Sequence, residues 1–370
     1  MLADAPDPVR GDARTVRVTI NHLADALGLS KGTVSRALNG YPDISEITRH
    51  RVVRMAERMG YAPLAPAQAI RTGRVRALGI VLQIGEHDAQ RPFLAEFLAG
   101  LTAAASAESW TLTLATAPTE AEALVTMRRL IDERKTDGFI LPRTKVDDPR
   151  IALLRALDVP FVLWGRTGDP TGCAWFDILG EDAMGEAVMR LQDIGHRRIG
   201  YLGGGRGFNY SVLRHEGYRS ALEAVGLDYD PEIVCESAVT VEEGAAAGRR
   251  LLAGPRPPTA LVCATDMGAL GLYRAVAEAG LEVGRDVSVI AYDGIPEGAY
   301  ATPQLTTFEV DSREAGARLA QLLIRRIRGE APEDLRETAH ARLRLRASDG
   351  PPAMTSEDLR ERLSRSTTRV

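Results

Sequence analysis

The sequence predicts a chain in two parts, an N-terminal all-α helix-turn-helix head and a C-terminal α/β module of two parallel-sheet lobes. Three observations predict it. Residues 17–60 carry three short segments of 3.6-residue apolar periodicity, separated by glycine and proline breakers. From residue 77 onward, short apolar runs alternate with amphipathic stretches, the pattern of β–α units whose parallel sheets are covered on both faces. Finally, about 270 residues is long for one open sheet, and four candidate strands precede residue 175 while three follow it, which favours two similar lobes.

In the head, Thr19 reads as an N-cap, with Ile20, Leu23, Ala24 and Leu27 on one face and Gly28 as the stop. Ser30 caps a second helix from Lys31 to about Leu38, whose Val34, Ala37 and Leu38 point inward. Asn39-Gly40-Tyr41-Pro42 breaks the chain, and Ser45 caps a third helix that runs to Met59 with Gly60 at C′. A second helix of this kind enters the major groove with its first residues against base edges. Lys31 or Arg36 can donate to guanine, Gly32 permits close backbone approach, and the hydroxyls of Thr19, Ser30, Thr33, Ser45 and Thr48 suit phosphate contact. Periodicity alone also suits a three-helix protein-interaction module.

The segment 62–76, punctuated by Pro63 and Pro66 and ending in basic residues, is expected to be a hinge. Beyond it, candidate strands are 77–82, 111–115, 138–141, 161–164, 198–202, 260–263 and 287–291. Candidate helices are 94–107, 119–134, 180–192, 214–224 and 267–278. Ligands of such sheets bind at the strands' carboxyl ends, so two facing lobes place a site in the cleft between them.

Composition is ordinary, with 45% apolar and 26% charged residues, and no apolar run is long enough to span a bilayer. Three widely spaced cysteines, Cys173, Cys235 and Cys263, suggest neither a disulfide framework nor a zinc site, and fit a reducing cytoplasm. The net charge of −4 is unevenly spread: residues 1–76 hold 12 Lys+Arg against 7 Asp+Glu, a net of +5, which leaves −9 for the rest. A basic head on an acidic body is suited to meeting phosphate. Gly203-Gly204-Gly205-Arg206-Gly207 fits neither a dinucleotide fingerprint, because Phe208 stands where the last glycine belongs, nor a Walker loop; a glycine turn after a strand accounts for it. There is no HExxH and no GxSxG nucleophile elbow between a strand and a helix, so no enzyme, cofactor, metal site or catalytic residue is expected.

Residues 18–61 closely resemble the head of the lactose/galactose-repressor family. The resemblance rests on Val18-Thr19-Ile20, on Leu29-Ser30-Lys31-Gly32-Thr33-Val34-Ser35-Arg36-Ala37-Leu38-Asn39 and on Gly60-Tyr61. It implies operator contacts from Lys31, Gly32 and Arg36, with Thr19, Ser30, Thr33, Ser35, Asn39, Ser45 and Thr48 around them. It also implies a hinge helix that levers Ile70, with Ala67 one turn earlier, into a minor-groove step and bends the duplex.

The resemblance continues through Gly195-His196-Arg197-Arg198-Ile199, Arg214-His215-Glu216-Gly217-Tyr218, Ala264-Thr265-Asp266 and Ser288-Val289-Ile290-Ala291-Tyr292-Asp293. It implies a periplasmic-binding-protein-like module, two lobes joined by three crossovers. The effector contacts it implies are Arg214 and Asp293, whose donors and acceptors suit a polyol. Asp266, Phe93, Trp164 and Arg166 are further candidates, and Trp164 suits the apolar core equally well. Where many relatives carry Asp-Asn, this chain has Leu179-Gly180, with Asp177 two residues earlier.

The expected organisation is a disordered leader (1–16), the DNA-binding head (17–61), the hinge (62–76), two lobes (about 77–176 plus 307–337, and about 177–306 plus 338–348) and a mobile tail (349–370). The resemblance implies a cytoplasmic homodimeric transcription regulator, a repressor on near-palindromic operator DNA, controlled by a small effector, a sugar. A sugar-binding protein without DNA contacts would leave the head unexplained, and an α/β enzyme would need the catalytic cluster that the sequence lacks.

Overall fold

The computed structural model describes residues 18–61, 73–83 and 93–367. The chain forms two compact units, Met1–Val75 and Arg76–Val370, each taken on its own below. The expected leader, and the hinge residues Ala67 and Ile70, lie outside the described residues.

Three helices make the head: α1 (Ile20–Leu27), α2 (Lys31–Leu38) and α3 (Glu46–Met59). Leu23, Ala24, Leu27, Val34, Ala37, Val52 and Ala56 form its core. So few apolar side chains leave much of the definition to the helix ends. Thr19, Ser30 and Ser45 each accept a backbone N–H of the following turn, while Gly28 and Gly60 close α1 and α3 at φ 64°, a left-handed conformation costly for other residues.

The larger unit contains two six-stranded sheets. The first is built from β1 (Ala77–Gln83), β2 (Thr111–Ala117), β3 (Gly138–Leu141), β4 (Phe161–Trp164), β5 (Ala174–Ile178) and β11 (Arg336–Ala339), in the order β11-β5-β4-β3-β1-β2. The second uses β6 (Ile199–Leu202), β7 (Val234–Cys235), β8 (Ala260–Cys263), β9 (Ser288–Asp293), β10 (Thr306–Glu309) and β12 (Arg342–Arg344), in the order β12-β10-β9-β8-β6-β7. The two orders correspond strand for strand. They differ in strand direction only at the last addition, since β11 runs parallel to β5 whereas β12 runs antiparallel to β10.

Helices cover both faces of each sheet. α4 (Phe93–Ala107) and α12 (Ser312–Ile327) bury Phe97, Leu101, Leu319 and Leu323 against one face of the first sheet. α5 (Glu120–Asp132) and α6 (Pro149–Ala156) bury Met127, Leu130 and Leu154 on the other. On the second sheet, α7 (Gly180–Asp193) and α8 (Asn209–Ala224) bring Met184, Leu191 and Tyr218 to one face. The opposite face receives Leu251 and Leu272 from α9 (Val241–Leu252) and α10 (Asp266–Glu278). A one-turn helix, α11 (Glu297–Tyr300), follows β9.

Several expectations change. Strand β10 belongs to the second sheet, not the first, because Thr306–Glu309 pairs with β9 and β12; the chain returns to the first lobe only with α12. β5 ends at Ile178 and β11 at Ala339, each a residue or two past the expected lobe boundaries. Helix α8 starts at Asn209, five residues before the expected start. α9 escapes the periodicity because its VEEGAAAGRRLL is rich in small residues. Those residues serve packing: a Cβ on Gly244 would sit 2.1 Å from the Gly268 carbonyl oxygen of α10.

The expected mobile tail is the largest correction. Residues 356–367 form α13, whose Leu359 is fully buried among Leu251, Leu272 and Val289. Upstream, Ser348 Oγ donates to Val289 O (2.6 Å) and Arg190 pairs with the enclosed Asp349 (2.6 Å). His196 bridges Thr259 Oγ1 and Gly350 O, both at 2.9 Å. The polar composition that suggested disorder is the outer face of a docked helix.

Candidate functional site

In the head, helix starts are the dominant local feature. Ser30 Oγ accepts from Thr33 N (3.1 Å) and lies 2.9 Å from Thr33 Oγ1; Ser45 makes the same pair of contacts with Thr48 at 3.3 and 2.9 Å. At α1, Thr19 accepts from His22 N (3.4 Å) while its own N–H donates to His22 Nδ1 (3.3 Å), a reciprocal cap with histidine in the third position. These hydroxyls are cap acceptors first.

Lys31 and Gly32 are exposed at the start of α2, and a side chain on Gly32 would meet nothing closer than Ser30 Oγ at 3.8 Å. Arg36, half exposed, pairs with Asp43 at 2.8 Å. That contact restrains the guanidinium on the outer face of α2, and a guanine would have to displace it. Asn39 Nδ2 donates to Ser35 Oγ (3.3 Å), closing the last turn of α2. Among the described residues, all the predicted head positions lie on two helix starts and the outer face of α2, or on the start of α3.

Between the lobes lies an open cavity of about 790 Å³, solvent-facing part included. Its lining comes from strand ends and the helix turns that follow them: Arg143, Trp164, Gly165, Asp177 and Ile178 from the first lobe, Tyr210, Arg214, Thr265, Tyr292 and Asp293 from the second, and Val310 and Ser312 at a crossover. This is where doubly wound sheets offer converging polar groups.

Arg214 is the centre of the second lobe's contribution. Its guanidinium carbon stands 3.7 Å over the Tyr292 ring and 4.8 Å from that of Tyr210. Nη1 donates to Ala264 O at 2.5 Å and lies 4.0 Å from Asp293 Oδ1. Burial works against the charge, yet Tyr292 and Asp293 hold its proton more firmly than water would. Burial also pushes the Tyr292 hydroxyl up to about 12. Gly180 explains how the arginine fits, because a Cβ there would lie 2.8 Å from Arg214 Nε and 3.0 Å from Cγ. The departure from the resemblance at this position is therefore the floor on which Arg214 rests.

Asp266 plays another part than the expected one. It is fully buried, accepting from Thr307 Oγ1 (2.5 Å) and from Ile295 N (2.8 Å). It thus braces from behind the turn that presents Asp293, itself held at φ 130°. Burial, helped by the neighbouring Asp293 charge, raises its carboxyl to about 7.

In the first lobe, Trp164 lines the cavity and also stacks on Phe97 of α4 at 4.3 Å, so it joins cleft and core. Arg166 turns away from the lining: Nε donates to Asp177 Oδ2 (2.5 Å) and Nη2 pairs with Glu181 at the start of α7. Burial pushes Asp177 up against the pull of Arg166. The Phe93 side chain lies outside the described residues. Arg143, Tyr210, Tyr292 and Ser312 escaped the sequence reading. Two of them left a signal: Tyr210 precedes Arg214 by one helical turn, and Tyr292 adjoins Asp293.

Residues 19–63 match the model of bacterial regulatory proteins, lacI family, and residues 188–348 match that of a periplasmic binding protein-like domain. The chain is 39% identical over 343 residues to the HTH-type transcriptional regulator AglR of Rhizobium meliloti (strain 1021), covering 90% of this chain and 95% of that protein. It is 32% identical over 302 residues to the probable HTH-type transcriptional repressor ExuR of Bacillus subtilis (strain 168), covering 78% and 86%. Among solved structures, the transcriptional regulator CelR in complex with cellobiose superposes with a TM-score of 0.69 at 30% identity, covering 90% of this chain and all of that one.

Proposed function

The chain belongs to the bacterial lacI family of regulatory proteins, and as a DNA-binding transcriptional regulator of that family we propose that it is a cytoplasmic repressor whose effector is a neutral saccharide. The observation that carries the effector class is the inter-lobe cavity. Arg143 and Arg214 on its lining, with Arg166 behind it, stand against Asp177, Asp293 and Glu181, so a neutral ligand leaves no net charge uncompensated there. Carboxylates and guanidinium groups converge as acceptors and donors for hydroxyls, and Trp164, Tyr210 and Tyr292 supply aromatic surface for the apolar faces of a sugar ring. The cellobiose held by CelR supports the same class.

On DNA, a homodimer sets two α2 helices in successive major grooves of a near-palindromic site, with Lys31 and Arg36 reading bases and Thr19, Ser45 and Thr48 contacting phosphates. Ser30, Gly32, Thr33, Ser35 and Asn39 complete that surface. Ile70, with Ala67 one turn before it, wedges the central minor-groove step. Effector in the cleft favours one arrangement of the lobes, and the heads follow through the hinges. Saccharide and operator therefore change each other's affinity by the same factor.

Band shifts on the chain's own promoter fragment test this reading, run at two salt concentrations and against a panel of neutral saccharides that begins with cellobiose. Binding should weaken steeply with salt, and one panel member should shift the operator isotherm. Arg36→Ala should cost about 1–3 kcal/mol of operator affinity and relax base preference. Indifference to every saccharide would remove the effector assignment, and unchanged site selectivity in Arg36→Ala would remove that arginine from base reading.

A further inference from the structure

The glycine loop that follows β6 has no part in the reading above, yet it reaches the other lobe. Val146 N donates to Gly207 O (3.1 Å) and Asn209 N donates to Thr144 O (3.0 Å), so Lys145 and Phe208 form an isolated antiparallel bridge from lobe to lobe. The guanidinium carbon of Arg143 stands 4.3 Å over the Phe208 ring, and Phe208 stacks on Tyr210 at 5.6 Å.

Both sides of this junction are built for it. On the first lobe, Arg143 is held at φ 53°, left-handed for a residue with a side chain. Arg150 fixes that loop by donating to Pro142 O (3.1 Å) and Arg143 O (3.3 Å) while it pairs with the enclosed Asp148 (2.7 Å). Thr144 Oγ1 donates to Arg166 O (2.6 Å), tying the same loop to the strand end beside it. On the second lobe, Gly205 and Gly207 adopt φ 105° and 81°, which turns the chain back so that Gly207 O faces Val146. The three covalent crossovers lie elsewhere, after β5, β10 and β11.

We infer that segments 144–146 and 207–209 form a clasp between the lobes, with Arg143 as the positioning residue through which cavity occupancy and lobe closure are coupled. Arg143 lines the cavity and caps the Phe208 ring, while Tyr210 lines the cavity and stacks on the same ring. A ligand touching either cavity face thus acts on the clasp. The inference rests on the assignment of the cleft as the effector site and concerns how that site is regulated. As a two-state element, the clasp has an open–closed equilibrium that effector and operator both bias.

The test uses the full chain with no saccharide present. Amide hydrogen exchange should show Val146 and Asn209 protected. Phe208→Ala should raise exchange at Val146 by roughly tenfold or more, with the sheets unchanged and with Phe208→Tyr restoring protection. Asn209→Pro removes one clasp bond at the first position of α8, where proline is tolerated; Phe208 before it is already extended (φ −84°, ψ 135°). A Lys145→Cys/Phe208→Cys pair, oxidised, locks the clasp shut. Locking and Phe208→Ala should move operator affinity in opposite directions from the native chain. Free exchange at Val146 in the native chain would overturn the clasp. Operator affinity unmoved by both the lock and the ring deletion would overturn the coupling. Neither readout depends on which saccharide binds, so a failed saccharide panel is a separate result.

Discussion

The two lobes share a strand order but hold their halves of the cleft by different means. The second lobe works with enclosed groups: the charged Arg214 sits under two tyrosines, and Asp266, which keeps its proton up to about pH 7, is sealed behind the turn that carries Asp293. A C-terminal segment and α13 close the far side of its sheet. The first lobe works with a mixed cluster, the partly exposed Arg166 between the buried Asp177 and the partly exposed Glu181, and with Trp164 standing between core and cavity. One topology thus supplies a fixed half and an adjustable half. Fixed charges are best kept where reorganisation is small, and the moving contacts where water can replace a lost partner.

This contrast can be broken in four places. The largest effect belongs to Asp266. Its pKa in the folded chain is raised to about 7, so the folded state retains a proton that the unfolded chain gives up near pH 4. The stabilising contribution is complete below that pH and is lost as pH rises through about 7, on the order of 4 kcal/mol. Chemical denaturation from pH 4 to 8 of the chain and of Asp266→Asn should show this decline in the difference between them, since His196 and His215, whose pKa values burial lowers, act in the opposite sense in both. An unchanged slope in the variant would mean that the second lobe's charge is not sealed.

Next, Leu359→Ala should cost about 3 kcal/mol of stability, as expected for a buried leucine whose cavity cannot fully collapse. A cost near zero in urea denaturation would return α13 to the status of a tail.

Arg214→Ala follows, with an expected loss of saccharide affinity of about 100-fold, near 3 kcal/mol. Calorimetric titration with the saccharide identified by band shift would measure it, and operator binding should remain. A normal effector response would remove Arg214 from the site.

The smallest effect is set for the first lobe. Arg166→Ala should change stability by about 1 kcal/mol, because the buried Asp177 it leaves is already biased towards its protonated form and water reaches Glu181. A loss as large as that of Asp266 would show the two halves to be equally fixed.

Much of this was legible in the sequence because it is local chemistry. Ser30 and Ser45 cap helices, and Gly28 and Gly60 end them, through contacts within four residues, so the residue types alone suffice. Arg214 and Asp293 were legible through motif resemblance, and the structure brings them to within 4.0 Å. The roles of Asp266 and Arg166 were not legible, because an acid or base near a strand end reads the same whether it faces a ligand or another side chain.

By itself, then, the sequence determined the head's three helices, the β–α alternation and which strand ends carry polar groups, since periodicity and capping act over one or two turns. Tertiary structure alone decided that β10 joins the second sheet, that α9 is a helix despite its glycines and that the polar C-terminus docks. It also decided that the glycine loop meets residues some sixty positions earlier. Each of these depends on a partner distant in the chain: strand edges, close helix approach and buried leucines are completed by neighbours that composition does not specify.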